Sequence, residues 1–136
     1  PPRSTLFPYT TLFRSPPDLL GVLRARLRQL GGFAADGIPL ITDTSLGVNP
    51  TRAAEALRTE GFNARSVPEI FGRGSLPADA DIRLVATALR GNVVTSDRGR
   101  DTRKGGGFAI DNVGILVPQR AGISEVIRLV RQKFGL

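Results

Sequence analysis

The sequence predicts an α/β fold: a central parallel sheet of about four to five strands with helices on both faces. Three observations carry this. Short apolar runs alternate with helical patterns from Ile38 onward. Two of those runs, Ile38–Thr42 and Val93–Ser96, end directly on an acid, Asp43 and Asp97. Helix start and stop residues stand where the intervening segments need them.

The elements follow in order. Residues 18–30, DLLGVLRARLRQL, place Leu19, Leu20, Val22, Leu23, Leu27 and Leu30 on one helical face, and Gly31-Gly32 stops the helix. Packing of that face on the domain or on an upstream part is one reading, and a nucleic-acid-binding helix carrying Arg24, Arg26 and Arg28 is the other. Residues 38–43 form a buried strand. Asn49-Pro50 is an N-cap followed by proline at the first helical position, and Gly61 ends that helix. Phe62–Val67 reads as a second strand, and Pro68–Gly74 as a loop or short helix. A helix runs from about Asp79 to Leu89 and closes near Gly91, with Asp79 as the expected N-cap. Residues 93–96 form the third strand, 113–117 the fourth, and 124–134 a closing helix. Between the third and fourth strands, residues 98–107, RGRDTRKGGG, form a basic, glycine-rich loop.

Composition narrows the chemistry. The chain has 136 residues, the size of one domain, with 40% hydrophobic and 23% charged residues. No apolar run approaches the ~20 residues of a membrane span, so a soluble, cytoplasmic protein without membrane contact is expected. There is no Cys and no His. Disulfides, thiolate nucleophiles, Ser-His-Asp triads and imidazole or thiolate metal sites are therefore excluded. Acid–base or metal chemistry must rest on the 12 Asp and Glu residues, which favours a hard cation with oxygen ligands. The formal charge of +7 favours a polyanionic partner. Arg outnumbers the two lysines, Lys104 and Lys133, and Gly and Pro are frequent, a pattern expected of GC-rich DNA.

Residues 1–15, PPRSTLFPYTTLFRS, differ from the rest: they hold the only Tyr, Tyr9, and repeat Thr-Leu-Phe twice. The string resembles a one-frame translation of a common short-read sequencing adapter over all its positions. It is excluded from fold reasoning. Together with the missing Met, it implies a gene fragment whose true start is lost. Three units are thus expected: the adapter-derived segment 1–15, an amphipathic helix and linker over 16–37, and the α/β domain over 38–136.

In a parallel sheet, ligands sit beyond the carboxyl ends of the strands. Asp43 and Asp97 each stand there, as metal ligands or as caps of the following turn. Asp79 and Asp81 lie in the first turn of their helix, where the macrodipole alone favours acids. Asp81, two residues inside the start, is free to point across the sheet edge, so Asp43, Asp81 and Asp97 are expected to converge.

Asp43-Thr44-Ser45 after a strand, Asp81 followed by Val85-Ala86-Thr87-Ala88-Leu89, and Val93-Val94-Thr95-Ser96-Asp97 together resemble the PIN-domain ribonucleases. Leu57-Arg58-Thr59-Glu60-Gly61-Phe62 is similar to the way compact PIN-like proteins join a first helix to a second strand. The likeness covers about residues 38–136. It implies an endoribonuclease dependent on Mg²⁺ or Mn²⁺, with Asp43, Asp81 and Asp97 as catalytic metal ligands. Family analogy adds a toxin role, with RNA, a cognate antitoxin and a second copy of the chain as partners. For the remaining acid, Glu69 sits where the PIN-like branch places one, and Glu60 competes. Gly99 stands where many relatives carry a further acid, and Asp101 lies two positions on. Ser45 and Thr95 match hydroxyl positions that orient Asp43 and Asp97, or serve as ordinary turn hydroxyls.

The basic loop sets Arg98, Arg100, Arg103 and Lys104 around Asp101 immediately after a candidate catalytic acid. It reads as a solvated loop or as a phosphate-contacting one, since Arg suits phosphate oxygens. A PIN-like nucleic-acid-binding module that has lost catalysis is the alternative function. A nucleotide-binding fold fits poorly, because no strand leads into a glycine-rich loop that opens a helix.

Overall fold

The computed structural model describes residues 25, 38–74, 77–97 and 113–136. The segments expected as adapter remnant, N-terminal helix (apart from Ala25) and basic loop, with Arg98, Arg100, Asp101, Arg103 and Lys104, lie outside the described residues.

The fold is α/β with an all-parallel sheet of four strands among the described residues, in the order β2-β1-β3-β4. The elements are β1 (Pro39–Thr42), α1 (Pro50–Thr59), β2 (Asn63–Ser66), α2 (Val67–Phe71), α3 (Asp79–Ala88), β3 (Asn92–Thr95), β4 (Gly114–Leu116) and α4 (Ile123–Lys133). Register sets Ile41 beside Val93 and Leu40 beside Ala64.

Alternation along the strands sends successive side chains to opposite faces. Ile41 and Val93 pack with Val67, Ile70 and Phe71 of α2 and Ile82, Val85 and Ala86 of α3. Leu40, Ala64, Val94 and Ile115 pack with Ala53, Ala54 and Leu57 of α1 and Val126 and Val130 of α4. Both faces are thus covered, which is why the central strands read as unbroken apolar runs.

Each helix boundary has a local cause. Asn49 Oδ1 accepts the N–H groups of Thr51 and Arg52, and proline opens α1. Gly61, at φ 95°, follows the end of α1, where Phe62 N–H returns to Leu57 O at 2.9 Å. The same closure ends α3 with Arg90, a non-glycine residue at φ 56°, and Gly91 N–H bonds Ala86 O at 2.8 Å. Gly91 itself admits no side chain: a Cβ there would lie 2.5 Å from Pro39 O.

Two expectations need correction. The second strand ends at Ser66 rather than Val67, because Ser66 caps α2 and turns the chain into it. The N-cap of α3 is Ala78, which offers no side-chain hydrogen bond, and Asp79 is the first helical residue. Asp79 and Asp81 both lie in that first turn, where a carboxylate gains from the helix dipole without capping.

Candidate functional site

The strand order reverses direction between β1 and β3: the chain leaves β1 toward β2 and returns past it to β3. That reversal opens a crevice at the carboxyl ends of β1 and β3, the usual ligand position in such sheets. Asp43 follows β1 and Asp97 lies two residues past the end of β3, so sequence order and topology bring both to this crevice.

Asp43 is only 4% exposed, and its backbone N–H bonds Val94 O at 2.9 Å. A carboxylate so deeply placed needs donors. Two hydroxyls supply them, both to Oδ2: Ser45 Oγ at 2.7 Å and Thr95 Oγ1 at 2.9 Å. The hydroxyls are themselves acceptors. Ser96 N–H donates to Ser45 Oγ at 2.9 Å, and Asp97 N–H donates to Thr95 Oγ1 at 3.0 Å. A hydroxyl has one proton. With both protons directed at Asp43, the 2.9 Å approach of Ser45 Oγ to Thr95 Oγ1 is held by the shared carboxylate oxygen rather than by a hydrogen between them.

The result is a directional relay. Backbone N–H groups just beyond β3 feed two hydroxyls, which feed one oxygen of Asp43. Among the described residues, Asp43 Oδ1 receives no such donor. Ser45 and Thr95, expected either to orient the acids or to be ordinary turn hydroxyls, do orient Asp43 and fix the backbone of Asp97. Among the described residues, Ser96 Oγ is buried without a hydrogen-bond partner. Its own backbone N–H is the group that Ser45 Oγ accepts from, across the β1–β3 edge.

Asp81 reaches the same edge by a different route. Only Leu89–Gly91 separate α3 from β3, so α3 runs antiparallel to that strand and its first turn lies toward the strands' carboxyl ends. Its ten residues span about 15 Å, longer than the four-residue strand it covers.

Glu69 stands elsewhere. Its side chain accepts Ser66 N–H at 2.9 Å, while Ser66 Oγ accepts Glu69 N–H, a reciprocal capping box at the start of α2. Glu69 also pairs with Arg58 at 3.3 Å and Arg65 at 3.4 Å. Its expected role as a fourth ligand is corrected accordingly: both carboxylate oxygens are engaged in holding α2 and β2. The sequence signal was present as Ser66-Val67-Pro68-Glu69, the Ser-x-x-Glu spacing of a capping box. Glu60, the competing acid, forms an ion pair with Arg131 that ties α1 to α4.

Among the described residues, no three acidic side chains form a group able to hold a metal ion. Asp43, Asp81 and Asp97 come to the same edge of the sheet without forming such a group. Asp81 remains in a helical first turn that favours an acid for its own reasons. Two carboxylates still suit a Mg²⁺-type ion, which usually keeps several waters and takes one or two protein carboxylates.

No family model, no curated protein and no solved structure matches this chain.

Proposed function

We propose that the protein is an endoribonuclease dependent on Mg²⁺ or Mn²⁺, with Asp43 as its principal metal ligand and Asp97 as the second. One observation carries the reading: Asp43 is nearly buried at the β1–β3 crevice, with Oδ2 held by two hydroxyls and Oδ1 left without a donor. Oδ1 is not among the buried polar atoms left without a partner, so it opens to the solvent of the crevice, where a ligand can reach it. The resemblance of Asp43-Thr44-Ser45, Asp81 and Thr95-Ser96-Asp97 to PIN-domain ribonucleases supports the same chemistry, and the absence of His and Cys from the sequence agrees with it.

A divalent cation bound there would lower the pKa of a coordinated water and offset charge on a scissile phosphate. The chain's own residues do the rest. Ser45 and Thr95 fix the orientation of Asp43, since both donate to its Oδ2. Thr95 also anchors the backbone from which Asp97 projects. Asp81 adds negative charge at the same edge. Family analogy extends the proposal to a toxin role, with an antitoxin and a homodimer as further partners.

A second reading, a binding module without catalysis, draws on the lack of a three-acid group among the described residues. Cleavage of mixed RNAs with Mg²⁺, Mn²⁺ or EDTA separates the two. Cleavage that EDTA abolishes, and that Asp43→Asn and Asp97→Asn each abolish while RNA affinity holds or rises, supports the nuclease. RNA binding without metal-dependent cleavage leaves the binding module. Normal cutting by Asp97→Asn in Mg²⁺ removes that acid from the site.

A further inference from the structure

Four arginines of the fold are held in salt bridges. Arg58 and Arg65 pair with Glu69, Arg128 with Glu125, and Arg131 with Glu60. Arg52 and Arg120 are exposed and close no salt bridge among the described residues, although Arg120 stands near enough to Glu125, the partner of Arg128, to help lower its pKa. Chain topology places both at the carboxyl edge of the sheet, on opposite sides of the Asp43–Asp97 crevice.

Arg52 lies in the first turn of α1. Thr51 Oγ1 meets Ser66 Oγ at 2.9 Å and Thr42 Oγ1 donates to Pro50 O at 2.6 Å, so this turn sits over the carboxyl ends of β1 and β2. Arg120 lies in the turn after β4, closed by Ala121 N–H to Pro118 O at 3.0 Å. That turn is packed against the loop that follows Asp43: a Cβ on Gly47 would overlap the Gln119 carbonyl. From β2 to β4 is three strand spacings, roughly 14 Å. A chain of phosphodiesters lying along the edge would meet one guanidinium, then the two acids, then the other guanidinium. The α1 and α4 N-termini flank the same path with the positive ends of their dipoles. Arg is suited to phosphate oxygens by its planar set of donors. A lone small anion would need only one of the two sites; their separation across the acids fits an extended polyanion.

We propose that Arg52 and Arg120 are the two grips of a single-stranded nucleic-acid track that crosses the carboxyl edge over Asp43 and Asp97. The proposal deepens the ribonuclease reading and rests on it.

The test is fluorescence anisotropy of the full chain with a labelled single-stranded oligouridylate, in EDTA to prevent cutting, across a salt series. For single strands each phosphate contact contributes about 0.7 to the slope of log affinity against log salt. Arg52→Gln with Arg120→Gln together should lower that slope by about 1.4 and weaken binding more than tenfold at low salt. Arg90→Gln with Lys133→Gln, charges at the opposite edge of the sheet, should leave the slope unchanged, and thermal melts confirm that each variant folds. An unchanged slope in the Arg52/Arg120 variant, with the parent protein binding and cutting RNA normally, overturns the track and leaves the nuclease reading standing. An equal loss in the Arg90/Lys133 variant also overturns the track, because the effect is then one of net charge. A parent protein that neither binds nor cuts RNA overturns both. In a parallel arm with phosphatidylserine vesicles, Arg52- and Arg120-dependent binding there without any on RNA would make the surface a membrane contact and overturn the proposal.

Discussion

Thr95→Val is the sharpest probe of the hydroxyl relay. The substitution exchanges a hydroxyl for a methyl at a residue that is 0% exposed, with no change in branching. Two interactions go at once. Asp43 loses one of its two donors, a hydrogen bond to a charged group worth about 1.5–3 kcal/mol. The Asp97 N–H loses its acceptor, and since Asp97 is only half-buried, water recovers part of the ~1–3 kcal/mol that an orphaned group costs. The added methyl has no cavity to fill, because Ser45 Oγ lies 2.9 Å from the oxygen it replaces. The combined destabilisation should be about 2–4 kcal/mol. Urea unfolding followed by circular dichroism reads this as a lower midpoint at unchanged slope. Thr95→Ser keeps the oxygen and deletes only a methyl, which costs about 1 kcal/mol. The order parent, Ser, Val is therefore diagnostic. A Val variant within 0.5 kcal/mol of the parent, about the usual reach of surface substitutions, would refute the relay. A Ser variant as unstable as Val would show that Thr95 acts through packing instead.

Arg90→Gly should stabilise the protein by roughly 1 kcal/mol in the same assay, because Arg90 holds φ 56° in the closure after α3 where glycine carries no Cβ penalty; a loss of stability would assign Arg90 a contact that outweighs the strain. The Glu125 carboxyl is held below its usual value of 4.5, first by its hydrogen bond from Arg128. A depressed folded-state pKa stabilises above the unfolded value and is lost as pH falls through the folded one. Arg128→Gln should therefore narrow the stability gap between neutral and acid pH by a small, salt-sensitive amount, since the pair lies at the solvent-facing surface; an unchanged pH profile at low salt would leave this pair without energetic effect.

Much of the architecture was legible because its causes are local. Asn49-Pro50 and Gly61 bracket α1 by capping chemistry that involves only neighbouring residues. The buried runs at 39–42 and 92–95 read as strands because helices cover both of their faces. The α2 helix was legible too, in Ser66-Val67-Pro68-Glu69, yet the same glutamate invited a ligand role. Its capping and ion-pair duties became evident only when Arg58 and Arg65 arrived beside it from other elements.

For the site, the sequence by itself determined the ingredients: acids and hydroxyls at the ends of two apolar strands, and no His or Cys to compete with them. Tertiary structure alone decided how those ingredients are spent. Ser45 and Thr95 are 50 residues apart, and only the parallel pairing of β1 with β3 brings both to one oxygen of Asp43. Whether an acid is a cap, an ion-pair partner or an open ligand depends on which donors reach it. Those donors come from elements distant in sequence, so no local pattern encodes the answer.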